Sequence, residues 1–138
     1  SATYGGGTWR IVGSKDGVTA LALGTAIDVP VPGDYDGDGR ANAAVFRPTT
    51  GEWLIRDAAA GTVRTVQWGA PGDVPVPGDY DGDGTTDIAT WRPATGGWSV
   101  LGSKAGAMPV TYWGAPGDVP VAGDYDGDRR ADMSVYRP

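Results

Sequence analysis

Of the 17 acidic side chains in this 138-residue sequence, eleven are aspartates gathered in three short loops. Each loop offers side-chain oxygens at alternate positions: Asp34, Asp36 and Asp38 followed by Asn42; Asp79, Asp81 and Asp83 followed by Asp87; Asp124, Asp126 and Asp128 followed by Asp132. Counted from the first aspartate, these are positions 1, 3, 5 and 9. A hard divalent cation takes about six to eight oxygen ligands, and a tight turn with an acid at every second residue folds such oxygens around one point. The residue at position 7, Arg40, Thr85 or Arg130, is expected to add its backbone carbonyl. Gly39 and Gly84 at position 6 permit the positive φ that turns the chain sharply. The third loop has Arg129 there, which predicts a strained backbone and a fixed positive charge near the ion.

Without a cation, carboxylates this close raise one another's pKa and repel; a divalent ion reverses that penalty. The pattern predicts Ca²⁺, up to three ions per chain, with the third loop the weakest. Mg²⁺ fits poorly because it demands strict octahedral geometry and keeps more of its water. The rival reading is a solvated turn, since Asp and Gly favour turns on their own account; three copies with alternate aspartates at fixed offsets weigh against it. Position 12 is Val45, Thr90 or Val135 instead of Glu, so these are not EF-hand loops.

Little other chemistry is on offer. Zero Cys and zero His remove thiol nucleophiles, Ser-His-Asp triads and the common zinc sites. Glu52 is the sole glutamate, and Gly97 takes its place one repeat later, so a glycosidase-like carboxylate pair is not suggested and the chain is expected not to be an enzyme. The formal charge of −6 disfavours nucleic acid or an anionic membrane as partner. No stretch approaches the roughly 20 apolar residues of a membrane span, and SATYGGGTWR lacks the basic and apolar regions of a signal peptide. Six tryptophans raise the possibility of sugar stacking. Trp53, Trp91 and Trp98 lie within candidate strands and are expected in the core; Trp68 and Trp113, at strand ends before Gly-Ala-Pro-Gly, are the candidate sugar contacts. Arg47, Arg92 and Arg137 are expected to pair with Asp28, Asp73 and Asp118.

The elements that position these residues recur. GDYDGD begins at Gly33, Gly78 and Gly123, a constant step of 45 residues, and DVPV and Arg-Pro landmarks keep the same step. Trp9 precedes Trp53 by 44 residues, one out of step. With 24 Gly and 11 Pro, long helices are improbable, while 40% hydrophobic residues supply a core. One period holds four short candidate strands, Val74 to Gly78, Asp87 to Arg92, Gly97 to Leu101 and Val110 to Trp113, separated by Gly, Pro or Asp clusters. Four strands in about 45 residues suit a propeller blade, with a β-solenoid as the rival. The expected layout is one repeat domain over residues 1–138: 1–28 as the second half of a blade, 29–73 and 74–118 as whole blades, and 119–138 as a first half.

At GDYDGDG followed by ANAAVFRP, TTDIATWRP or ADMSVYRP, the sequence resembles the FG-GAP and VCBS repeats of integrin-α-like calcium-binding β-propellers, over essentially its whole length. The resemblance implies that the loop between first and second strands holds Ca²⁺ through the residues given above, with Asn42 and Arg129 as departures. It also implies an extracellular setting and a recognition function, most simply carbohydrate binding; a structural or adhesive module for a protein partner is the alternative, and a calcium-dependent carbohydrate-active enzyme a weaker one. Three blades cannot surround a channel, since propellers carry about four to eight. A homodimer with six blades is therefore expected, the halves of one chain completed by those of the other.

Overall fold

The structure, a computed structural model, describes residues 2–13 and 17–138. It is all-β, with antiparallel strands and no helix among the described residues. The strands are β1 (Ala2–Gly5), β2 (Thr8–Gly13), β3 (Gly17–Ala22), β4 (Val29–Pro30), β5 (Ala44–Arg47), β6 (Glu52–Asp57), β7 (Thr62–Gln67), β8 (Val74–Pro75), β9 (Ile88–Arg92), β10 (Gly97–Gly102), β11 (Gly106–Ala107), β12 (Thr111–Tyr112), β13 (Val119–Pro120) and β14 (Val135–Tyr136). They form four open sheets: β1-β2-β3, β4-β5-β6-β7, β8-β9-β10 with both β11 and β12 along the far side of β10, and the pair β13-β14.

The register carries the sequence period into space. Phe46 lies opposite Trp53 and Trp91 opposite Trp98. Paired residues point to one face, so the second and third sheets each carry an aromatic pair on one side, and the second has Val45 and Leu54 on the other. Consecutive sheets then pack face to face. Trp9 and Leu23 of the first bury Val45 of the second. Phe46, Trp53 and Ile55 of the second meet Ile88 and Leu101 of the third, and Trp91, Trp98 and Val100 of the third meet Met133 and Val135 of the last.

Two details depart from the expected strands, both through proline. The spacing predicts a first strand of five residues, Val74 to Gly78 in the second period, but Val-Pro-Val-Pro in the first two periods and Val-Pro-Val-Ala in the third hold only two ladder residues each, after which the chain rejoins its neighbour at single bridges, Gly33 with Asn42, Gly78 with Asp87 and Gly123 with Asp132. Proline has no N–H for the ladder. Likewise Pro109 separates β11 from β12, where the second sheet keeps β7 continuous over six residues. The 44-residue step also has a cause: β2 and β3 pair Gly13 with Gly17, whereas β6 and β7 pair Asp57 with Thr62, so the N-terminal hairpin is one residue shorter.

The N-terminal segment holds one element that the sequence reading left out. β1 pairs with β2 in the register Tyr4 opposite Trp9, the place that Phe46 and Trp91 occupy in the next two sheets. Residues expected to supply only third and fourth strands thus come with a strand on the second-strand side.

Candidate metal centres

The loops leave the first strand of a sheet and return as the second, so each acidic cluster sits at the same end of its sheet. Asp79, Asp81, Asp83 and Asp87 bring carboxylate oxygens within 4.8 Å of one another, as do Asp34, Asp36 and Asp38, and as do Asp124, Asp126 and Asp132. Asp128 lies outside its cluster.

The loop backbone is wound around its first aspartate. Asp79 Oδ1 accepts the N–H of Gly82 at 2.8 Å, and its Oδ2 that of Gly84 at 2.8 Å. Asp34 does the same for Gly37 and Gly39, and Asp124 for Gly127 and Arg129. This winding needs a positive φ at position 6: Gly39 and Gly84 lie at 85° and 84°, and Arg129 is held at 68°, the one non-glycine residue in that region among those described. The strain expected at Arg129 is present.

The ninth residue ties the loop to the sheet. Asp87 Oδ2 accepts the N–H of Tyr80 at 2.7 Å, Asp132 Oδ2 that of Tyr125 at 2.7 Å, and Asn42 Oδ1 that of Tyr35 at 2.9 Å. Asn42 differs in what remains: its amide donates to Asp36 Oδ2 and to the Arg56 carbonyl, where the other two loops have a second carboxylate oxygen. At position 7 the backbone N–H of Arg40, Thr85 and Arg130 donates to Asp38, Asp83 and Asp128 respectively.

A turn in the third sheet, which sequence reasoning missed, closes over the second loop. Ser103 donates its N–H to Asp87 Oδ1 at 2.7 Å and its hydroxyl to Asp83 Oδ2 at 2.6 Å, and the N–H groups of Lys104 and Ala105 donate to Asp81 Oδ2. The only signal was the small polar turn Gly-Ser-Lys-Ala-Gly between two strands. Burial works to raise the Asp81 carboxyl, but the Lys104 and Ala105 N–H groups prevail and it lies below its ordinary value. Asp87 lies above, pushed up by burial that its hydrogen bonds do not offset. In the third loop, the Asp128 N–H works to lower Asp126, yet burial and the nearby charges of Asp128 and Asp132 leave it raised. Only at Asp126 do neighbouring carboxylates contribute to the rise; at Asp87 it is burial.

Neighbouring loops also dock on one another. Thr86 donates its N–H to the Asp34 carbonyl and Ala131 to that of Asp79, each at 2.7 Å. A Cβ on Gly33 would lie 2.8 Å from Thr86 Cγ2, and one on Gly78 2.9 Å from Ala131 Cβ, so these glycines are required by close approach. The three clusters therefore form a row along one side of the stacked sheets.

The candidate sugar contacts part company. Trp68 is half-buried, and its indole N–H donates to the Ser99 carbonyl of the next sheet at 3.0 Å, so it fastens sheet to sheet. The Trp113 ring is exposed, while its carbonyl accepts the indole N–H groups of Trp91 and Trp98. Between the second and third sheets, near the first two loops, lies a hollow of about 300 Å³ lined by Tyr35, Arg64, Thr86, Ile88, Leu101 and Ser103. The arginine pairs are made: Arg47 with Asp28 at 3.0 Å, Arg92 with Asp73 at 2.8 Å and Arg137 with Asp118 at 2.7 Å.

The donor set is what a hard cation takes: three or four convergent carboxylates per loop, with no nitrogen or sulfur ligand. Comparison with protein-family models, with curated proteins and with solved structures finds no match for this chain.

Proposed function

We propose that the chain is a calcium-binding recognition module of the FG-GAP and VCBS kind, in which the antiparallel sheets serve as propeller blades and the ligand is a carbohydrate met outside the cell, without catalysis. The observation that carries this reading is the convergence of Asp79, Asp81, Asp83 and Asp87 within 4.8 Å at the end of a sheet, echoed by a cluster in each of the two neighbouring loops. Asp79, Asp81, Asp83 and Asp87 would hold the ion in the second loop, with the Thr85 carbonyl as a further oxygen. Asp34, Asp36, Asp38 and Asn42 with Arg40, and Asp124, Asp126, Asp128 and Asp132 with Arg130, are the corresponding sets. When bound, Ca²⁺ supplies the positive charge that lets the acids share one small space.

The hollow between sheets supports the carbohydrate part of the reading. It combines an aromatic ring, an apolar floor of Ile88 and Leu101, and hydroxyl and guanidinium donors, the mixture by which small polar ligands are oriented. Trp68 does not serve as a free stacking platform, because its indole is engaged with Ser99. The alternative, a protein partner, draws on the exposed strip Val110, Tyr112 and Trp113.

A glycan array in calcium and in EDTA tests the proposal. Calcium-dependent sugar binding that is lost on Arg64→Ala supports it. A silent array with calorimetric Ca²⁺ binding intact moves the function to protein recognition, and absence of Ca²⁺ binding overturns the reading as a whole.

A further inference from the structure

We propose that a second copy of this chain completes the β13-β14 sheet by laying its own β2 and β3 beside β14, and that β1 is the stand-in it releases to do so. The first observation is an uncovered face. Tyr35 and Tyr80 donate their hydroxyls to the carbonyls of Val31 and Val76 and are 4% and 5% exposed. Tyr125 makes the same bond to Val121 at 2.6 Å, yet is 66% exposed. Phe46 and Trp91 are buried opposite Trp53 and Trp98, whereas Tyr136, at the matching place, is 61% exposed. What covers the first two is a third strand bearing tryptophan at that register. The chain has one more such strand, β2, with Trp9.

The second observation is the occupant of the β2 edge. Ala2-Thr3-Tyr4 pairs with β2 where Ser134-Val135-Tyr136 would, and Tyr4 lies 5.4 Å from Trp9, ring to ring, as Phe46 lies 5.3 Å from Trp53. The second-strand position is thus represented twice, by the same residue type at its centre. Among the described residues β1 pairs with β2 alone, while β14 pairs with β13. Exchange replaces one tyrosine by another and adds cover for Tyr125 and Val121.

Two further features are left open on the same seam. Trp68 reaches the Ser99 carbonyl in the third strand of the next sheet; Trp113 holds the same place one period on, and the residue of β2 that corresponds to Ser99 is Arg10. The loop row likewise lacks a rung, for Thr86 to Asp34 and Ala131 to Asp79 would be followed by Ala41 of the second copy to Asp124. One copy therefore carries both halves of a single complementary contact. Such a head-to-tail contact closes into a ring when the rotation allows; with the last sheet of each chain merged with the first sheet of the other, two chains of four sheets give six, within the range of about four to eight that propellers use.

The test uses the full chain in calcium buffer. Light scattering is expected to give twice 14.2 kDa. Because the chain has no cysteine, Arg10→Cys and Val135→Cys, prepared separately and mixed under mild oxidation, are expected to form a disulfide between chains that neither variant forms alone. Tyr136→Ala is expected to convert the dimer to monomer, and Tyr4→Ala to leave it dimeric. A monomer for the unaltered chain overturns the proposal, as does dissociation by Tyr4→Ala with Tyr136→Ala without effect. Repeating the scattering in EDTA separates this outcome from failure of the calcium reading.

Discussion

At the scale of residues, the second acidic cluster joins carboxylates set by local spacing to hydrogen-bond partners supplied from a distant turn. Asp81 shows the difference. The spacing marks it as a ligand, but its second set of partners, Lys104 and Ala105, lies more than twenty residues away. We expect Asp81→Ala and Asp83→Ala to abolish calorimetric Ca²⁺ binding at the second loop, and Ser103→Ala, which removes the hydroxyl and its 2.6 Å contact to Asp83 but keeps the backbone N–H bond to Asp87, to weaken it without abolishing it. Arg129→Gly should act in the opposite direction. Relief of a left-handed non-glycine residue is worth about 1–2 kcal/mol, less roughly 0.4–1 kcal/mol for the freer unfolded chain, so a small gain in melting temperature is expected together with tighter Ca²⁺ binding. A destabilised Arg129→Gly would mean that the arginine side chain makes a contribution larger than the strain. Asp87 yields a pH prediction. Its folded value is raised by burial, so its contribution favours the apo fold below the unfolded value of 3.8 and is lost as pH rises through the raised value. Calcium favours the carboxylate and cancels that loss. The calcium-induced rise in melting temperature should accordingly grow from acid to neutral pH, and a rise independent of pH would remove Asp87 from the ligand set.

At the scale of elements, the period and the aromatic register were readable, because a strand places every second side chain on one face and Trp53 and Trp98 keep their place in it. The short first strands, the split at Pro109 and above all β1 were not. Ala2-Thr3-Tyr4-Gly5 has no Arg-Pro landmark to align it, and only pairing with β2 identifies its place. The docking of loop on loop was equally hidden, since Gly33 and Gly78 look like ordinary turn glycines until Thr86 and Ala131 are seen against them. Gly33→Ala and Gly78→Ala should therefore each cost about 1–3 kcal/mol through overpacking. Gly5→Ala, where an added Cβ meets nothing within 4 Å and φ is not positive, should stay within about 0.5 kcal/mol. Equal effects in chemical denaturation would mean that the loops do not pack as described. The ion pair of Arg137 with Asp118 gives the last sheet an acid dependence. Arg137 holds the Asp118 carboxyl down to about 2 from an ordinary 3.8. That contribution is present above 3.8 and lost as pH falls toward about 2, so Arg137→Met should flatten the loss of stability across this window.

At the scale of the whole molecule, charge and topology meet. The chain carries −6 formally, and eleven aspartates lie in three loops that dock side by side, so the repulsion is concentrated along one side of the stacked sheets instead of spread over the surface. The row could not be read from the sequence, because no periodicity says that loop one touches loop two; it follows from the face-to-face stacking of twisted sheets and from the glycines that allow close approach. Monovalent salt screens such repulsion, with a Debye length of about 10 Å at 0.1 M falling to about 3 Å at 1 M. Three bound divalent ions would reduce it at source, since three charges of +2 offset six of the eleven loop carboxylates. In EDTA the melting temperature should therefore climb as sodium chloride is raised, and in saturating Ca²⁺ this salt dependence should be clearly smaller, so that the stabilisation by calcium is largest at low ionic strength. Specific ion binding and general screening are distinguished by the sign of the interaction: screening in the apo protein and occupancy in the holo protein act on the same repulsion, so the two effects must be less than additive. Additive effects, with the same salt slope in EDTA and in calcium, would show that the ions bind away from the acidic row and would detach the three loops from the stability of the fold.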